Sequence, residues 1–123
     1  MRVPDFLVRQ FYVKGSLQPE GDGFRLQAQN GMGNGTLVGI GKVIMDGQVI
    51  DPATITASRD GEDTVHRASD VSRLTPVSFD RGDIVTFHIA GYPLAAGPHQ
   101  FEVDIYEVNL GLLQLVLKDT VRA

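Results

Sequence analysis

Alternation of apolar and polar residues runs through most of this chain and is strongest between Phe79 and Asp119. That stretch reads FDRGDIVTFHIAGYPLAAGPHQFEVDIYEVNLGLLQLVLKD. Val85, Phe87 and Ile89 share one face of a first run, Phe101, Val103 and Ile105 of a second, and Leu113, Leu115 and Leu117 of a third. A period of two puts such residues on one side of a pleated strand. Gly, Pro and Asn mark the turns at Asp80-Arg81-Gly82, at Gly91 to Pro98 and at Asn109-Leu110-Gly111.

The first half of the chain reads in the same way. Phe24, Leu26 and Ala28 alternate with Arg25, Gln27 and Gln29, which predicts a strand with one wet face. Gly35 to Met45 predicts a long strand, with Gly39 and Gly41 marking a bulge, a bend or a close backbone approach. Asp46-Gly47 between two apolar runs predicts a type I′ hairpin, because both turn residues need positive φ. Shorter strands are expected near Ala53 to Ala57 and Val77 to Phe79. Phe6 to Val13 is apolar on both faces, and predicts a strand covered on each side, with another subunit as one candidate cover. Asn30 to Gly35 (NGMGNG) reads as a flexible connection. Ser58 to Thr75 reads as a polar excursion, either mobile or ligand-binding.

Together these runs make roughly eight or nine short strands with frequent turns and no substantial helix. The expected architecture is all-β: one domain over residues 1–123, built as a two-layer antiparallel β-sandwich of jelly-roll or immunoglobulin-like style.

Composition narrows the function classes. The chain has no cysteine, which removes disulfides, thiolate nucleophiles and cysteine-based zinc sites together. A net charge of −4 argues against nucleic acid as a partner. No apolar run approaches the roughly 18 residues of a membrane span. Asp5 and Arg9 break the apolar core that a signal peptide would need, so a cytoplasmic setting is expected.

Candidate chemistry is sparse. His66, His88 and His99 stand apart, without the paired spacing of a metal site, and Glu102 is the one carboxylate close to His99. Glu102 and Asp104 share a strand face, but alternating polar residues beside Phe101, Val103 and Ile105 describe a solvated surface rather than a glycosidase pair. The chain has no tryptophan to form a sugar-stacking platform. NGMGNG is followed by a strand rather than the helix a phosphate loop requires. Ser16, Ser58, Ser69, Ser72 and Ser78 lack a nucleophile-elbow setting. No catalytic, cofactor or metal residue is therefore assigned. Within the polar excursion, His66 and Arg67 are the candidates to lie near a substrate. Phe6, Phe11 and Tyr12, with the loop Tyr92-Pro93-Leu94, are candidates for a subunit interface, since aromatic anchors dominate binding hot spots.

Read in order, FLVRQFYVKGSL, GTLVGIGKVIMDG, RASDVS and the PVSFDRGDIV…LQLVLKD stretch resemble the small β subunit of bacterial C-glycoside deglycosidases, from Phe6 to Asp119. The resemblance implies a β-sandwich subunit paired with a larger, xylose-isomerase-like α subunit in a higher hetero-oligomer. It implies that the α subunit holds a divalent metal, typically manganese, and the acid/base residues. The reaction implied is β-elimination from 3-oxo C-glucosides of flavonoids and related aromatics. The keto group acidifies the neighbouring C–H, a base removes that proton, and the bond to the aglycone carbon breaks as a proton returns to that carbon. The alternative reading is a free-standing β-sandwich module that binds a carbohydrate or a protein.

Overall fold

The hairpin at Asp46-Gly47 forms as its residues demand, with φ of +52° and +82° and Met45 paired to Gln48. It joins β3 (Gly35–Met45) to β4 (Gln48–Val49) in a computed structural model that describes residues 1–122. The remaining strands are β1 (Gln18–Glu20), β2 (Gly23–Gln29), β5 (Ile55–Arg59), β6 (Val65–Arg67), β7 (Val77–Phe79), β8 (Ile84–Ile89), β9 (Gly97–Glu107) and β10 (Gly111–Val121). All named strand pairs are antiparallel.

Two sheets face each other. One runs β1-β2-β8-β5-β6, the other β10-β9-β3-β4, with β7 added beside β3. The all-β sandwich is therefore the observed architecture. No described helix is long and apolar enough to cross a membrane. The glycines of β3 sit where expected: register shifts fall between Leu37 and Gly39 and between Ile40 and Val43. A Cβ at Gly39 would meet the Tyr106 ring at 3.2 Å, and one at Gly41 would meet Asp104 and Tyr106 at 3.3 Å. The missing side chains let the aromatic ring on β9 lie over β3.

The first segment departs from the sequence reading. Phe6 to Val13 is not a strand: Asp5–Val8 is a single helical turn, α1. Pro4 precedes it with φ −58° and no N–H to leave unpaired, and Asp5 sits in the first turn, where the helix dipole favours a carboxylate. Turn-type hydrogen bonds continue to Tyr12, whose N–H donates to Val8 O at 3.1 Å. Val8, Phe11 and Tyr12 therefore point inward at helical spacing, a period that a two-faced apolar run does not separate from a strand. Beyond it the chain pairs with β2, through Gln29 N–H to Phe11 O and Val13 N–H to Gln27 O. At its start it lies along β10, with Val3 N–H donating to Gln114 O. Residues 1–13 thus form a strap that closes the seam between β10 and β2.

The opposite seam is held by Arg59. Its guanidinium donates to Glu62 at 2.8 Å and to the Ser78 carbonyl on β7, and its Nε lies 3.4 Å from Asp83 Oδ2 as an ion pair without hydrogen-bond geometry.

The packed core occupies one end of the sandwich. Phe24, Val43, Met45, Ile50, Ile89 and Phe101 are buried there, and Phe24 meets Tyr92 and Phe101 edge to face. The loop Tyr92-Pro93-Leu94 does not project its apolar groups outward. Leu94 is only 8 % exposed and belongs to this core, while the Tyr92 hydroxyl donates to Met45 O at 3.2 Å. Pro93 alone of the three is exposed.

Candidate functional site

At the other end the two sheets do not meet. Leu37 and Ile40 on β3, Val103 and Ile105 on β9, and Leu113 and Leu115 on β10 face Ala28, Val85, Phe87 and Ala57 across an open interior, and most of them are only half-buried. The result is an apolar cavity of about 520 Å³. A dry void of that size would cost on the order of 12 kcal/mol at roughly 24 cal/mol per Å³. Water filling it would find few polar partners. The exposed lining residues Met32, Asn34, Asn109 and Leu110 mark the mouth, between the Asn30–Asn34 loop and the β9–β10 turn.

Two polar side chains shape that mouth. Asn30 is only 3 % exposed, and its amide donates to Gly33 O and Phe79 O while its carbonyl accepts from the N–H groups of Met32 and Gly33. The NGMGNG segment, expected to be a flexible connection, is therefore folded around one buried amide. Glu107 accepts from Thr36 N–H at 3.0 Å, Asn109 N–H at 2.7 Å and Leu110 N–H at 2.9 Å. The Thr36 bond leads in holding its carboxyl below the usual range, against the opposing effect of burial, and the turn amides add to it. This carboxylate is spent on fixing the turn.

Of the two residues expected near a substrate, His66 lines the cavity from β6 and Arg67 does not. Adjacent residues of a strand point to opposite faces, so both could not turn to one site. Phe11 and Tyr12 also line the cavity instead of offering an outer surface, and Phe6, 65 % exposed, is the aromatic of that segment that remains outside.

The other histidines are elsewhere. His88 Nδ1 lies 2.6 Å from Glu20 Oε1 on the outer face. His99 places Nδ1 2.5 Å from Asp46 Oδ2 and Nε2 2.7 Å from Ala95 O. With an acceptor on each ring nitrogen, His99 is arranged as an imidazolium. Burial opposes that charge, but the Asp46 bond, the Ala95 carbonyl and the Asp46 charge outweigh it and raise its pKa. Glu102 accepts from the Gln100 side chain at 3.0 Å. Among the described residues, no group of three or more His, Asp or Glu side chains could hold a metal ion.

The sequence matches the family described as hydroxymethylglutaryl-CoA reductase, N-terminal domain, over residues 7–122. The chain belongs to that family. No curated protein matches it. The span shared with the hydroxymethylglutaryl-CoA reductase N-terminal domain family holds nearly all of the cavity lining, Val3 being the exception. It makes no link to C-glycoside deglycosidase subunits.

Proposed function

We propose that this chain is a non-catalytic β subunit of a C-glycoside deglycosidase, working in the cytoplasm beside a larger barrel-type α subunit in a hetero-oligomer. The observation that carries this reading is the disposition of the titratable groups. Glu107 and Asp119 are tied to backbone amides, His99 to two acceptors, and His88 to Glu20. Such a chain supplies shape and contact surface, and the acid and base of the elimination belong to the α subunit. Among the described residues no cluster fits the divalent metal that the resemblance implies, and in this reading that ion is the α subunit's to hold.

A second reading has its own support. The family match over residues 7–122 favours an accessory domain beside a hydroxymethylglutaryl-CoA reductase. Both readings attach the sandwich to a catalytic neighbour, and one experiment separates them. The chain is co-expressed with a barrel-type subunit of the sugar-isomerase kind, and the product is passed over a sizing column. It is then assayed for aglycone release from a 3-oxo C-glucoside, with and without a chelator. Co-elution with chelator-sensitive release supports the deglycosidase reading. Separate elution without release removes it, and reduction of hydroxymethylglutaryl-CoA by a co-purifying partner would replace it with the second.

A further inference from the structure

We infer that the cavity between the sheets is a binding site for an uncharged, chiefly apolar small molecule. This goes beyond either proposed partner and does not depend on which is correct. The volume, about 520 Å³, lies in the range of small-molecule pockets, which are mostly apolar with a few placed polar groups. Its walls are aliphatic and aromatic from both sheets, with Phe87 and Leu115 among them.

Three features point to a small molecule rather than to a segment of another protein. First, this chain walls the cavity on both seams. The strap is pinned by Val3 N–H to Gln114 O and by Tyr12 to Asp119, and the far seam by Arg59 to Ser78. A docking groove would be open along its length. Second, the mouth is pre-formed by Asn30 and Glu107, so little ordering is needed on binding. Third, the lining holds no lysine, arginine or aspartate to pair with an ion. Glu107 is the lining carboxylate, and it already accepts three backbone N–H bonds. A charged ligand would lose its hydration without recovering it. Polar recognition falls to His66 on β6 and to Asn34 and Asn109 at the rim, groups suited to orient a hydroxyl or a carbonyl.

The test uses the full chain and phenyl-naphthylamine, an uncharged apolar fluorophore. Saturable binding with a ligand-dependent rise in Tm is expected. Ala57→Leu and Ala28→Leu, which add bulk from the sheet that faces β9 and β10, should weaken binding at least about tenfold. Lys118→Gln, on the outside of β10, should leave it unchanged. Should the filling variants fail to fold, methyl NMR replaces them, with probe contacts expected at Val103 and Leu115. The sulfonated analogue of the probe should bind more weakly. Absence of saturable binding to folded protein overturns the inference, as does binding that Ala57→Leu leaves intact or probe contacts confined to the outer surface. Loss of the probe when the chain joins its catalytic subunit would also overturn it, by showing that a partner segment fills the space.

Discussion

Tyr12 donates its hydroxyl to Asp119 Oδ2 at 2.5 Å, joining the N-terminal strap to the end of the last strand across 107 positions of sequence. The same carboxylate oxygen accepts from Gly15 N–H at 2.7 Å. Burial first, and the neighbouring carboxylate second, push the Tyr12 phenol far above its ordinary value, so it stays protonated and can donate to Asp119. Tyr12→Phe should cost about 1–2 kcal/mol in urea denaturation. In a double-mutant cycle with Asp119→Asn, the two losses should be markedly less than additive. Additive losses would show that the bond does not hold the strap.

The His99–Asp46 pair sets a pH dependence with a definite sign. His99 has a raised pKa, so its contribution is fully present below the ordinary histidine value of 6.5 and is lost as pH climbs through the higher folded-state value. Asp46 has a lowered pKa: burial alone would raise it, but the His99 and Gln100 hydrogen bonds and the His99 charge prevail. Its contribution is present above the ordinary 3.8 and is lost as pH falls through the lower folded-state value. Tm should therefore decline on the alkaline side of 6.5, and His99→Gln should flatten that decline. A wild-type profile that the variant reproduces would place the effect elsewhere.

Two glycines give opposite expectations. A Cβ at Gly23 would fall 1.7 Å from the Ile89 carbonyl oxygen, whereas one at Gly33 meets nothing within 4 Å. Gly23→Ala should part β2 from β8 and cost about 3 kcal/mol or more, while Gly33→Ala stays within about 0.5 kcal/mol. Thermal melts of the two proteins compare them directly.

Asn30→Ala removes four hydrogen bonds from the loop at the cavity mouth. The expected loss is about 3 kcal/mol, because the Phe79 carbonyl and the loop amides are left without their partner. Hydrogen exchange should show faster amides at Met32 and Gly33, and unchanged exchange there would count against the amide as organiser.

Leu94 and Phe6 separate folding from association. Leu94→Ala should destabilise the isolated chain by about 3 kcal/mol through the core. Phe6→Ser should leave its melting unchanged yet weaken retention of the proposed catalytic partner on a column. If both variants lose only stability, Phe6 is not a contact.

Much of the sandwich was legible because a period of two is hard to mistake when it persists, as it does in β2 and β8 to β10. The Asp46-Gly47 turn was legible for its own reason, its demand for positive φ. The N-terminal strap was not, since Val8, Phe11 and Tyr12 satisfy a helical period within a run that is apolar throughout. The cavity was not legible either. Alternation tells which side chains face inward, not whether the two inward faces touch. His66 could be singled out from its polar surroundings, but grouping it with Arg67 overlooked that neighbours on a strand diverge. The knot around Asn30 left no mark in a segment rich in glycine.

The strands that flank β2, β5 and β3 are very short: β1, β6 and β7 have three residues and β4 has two. Along the eleven-residue β10, the first residues of the strap take up backbone groups of Leu112 and Gln114. Short or covered margins give a foreign backbone little to template on, which guards against fibre-like stacking of copies. They also limit how any other protein can join the sandwich. It has to recognise the relief of side chains on a finished surface, because there is little room to be stitched in as one more strand.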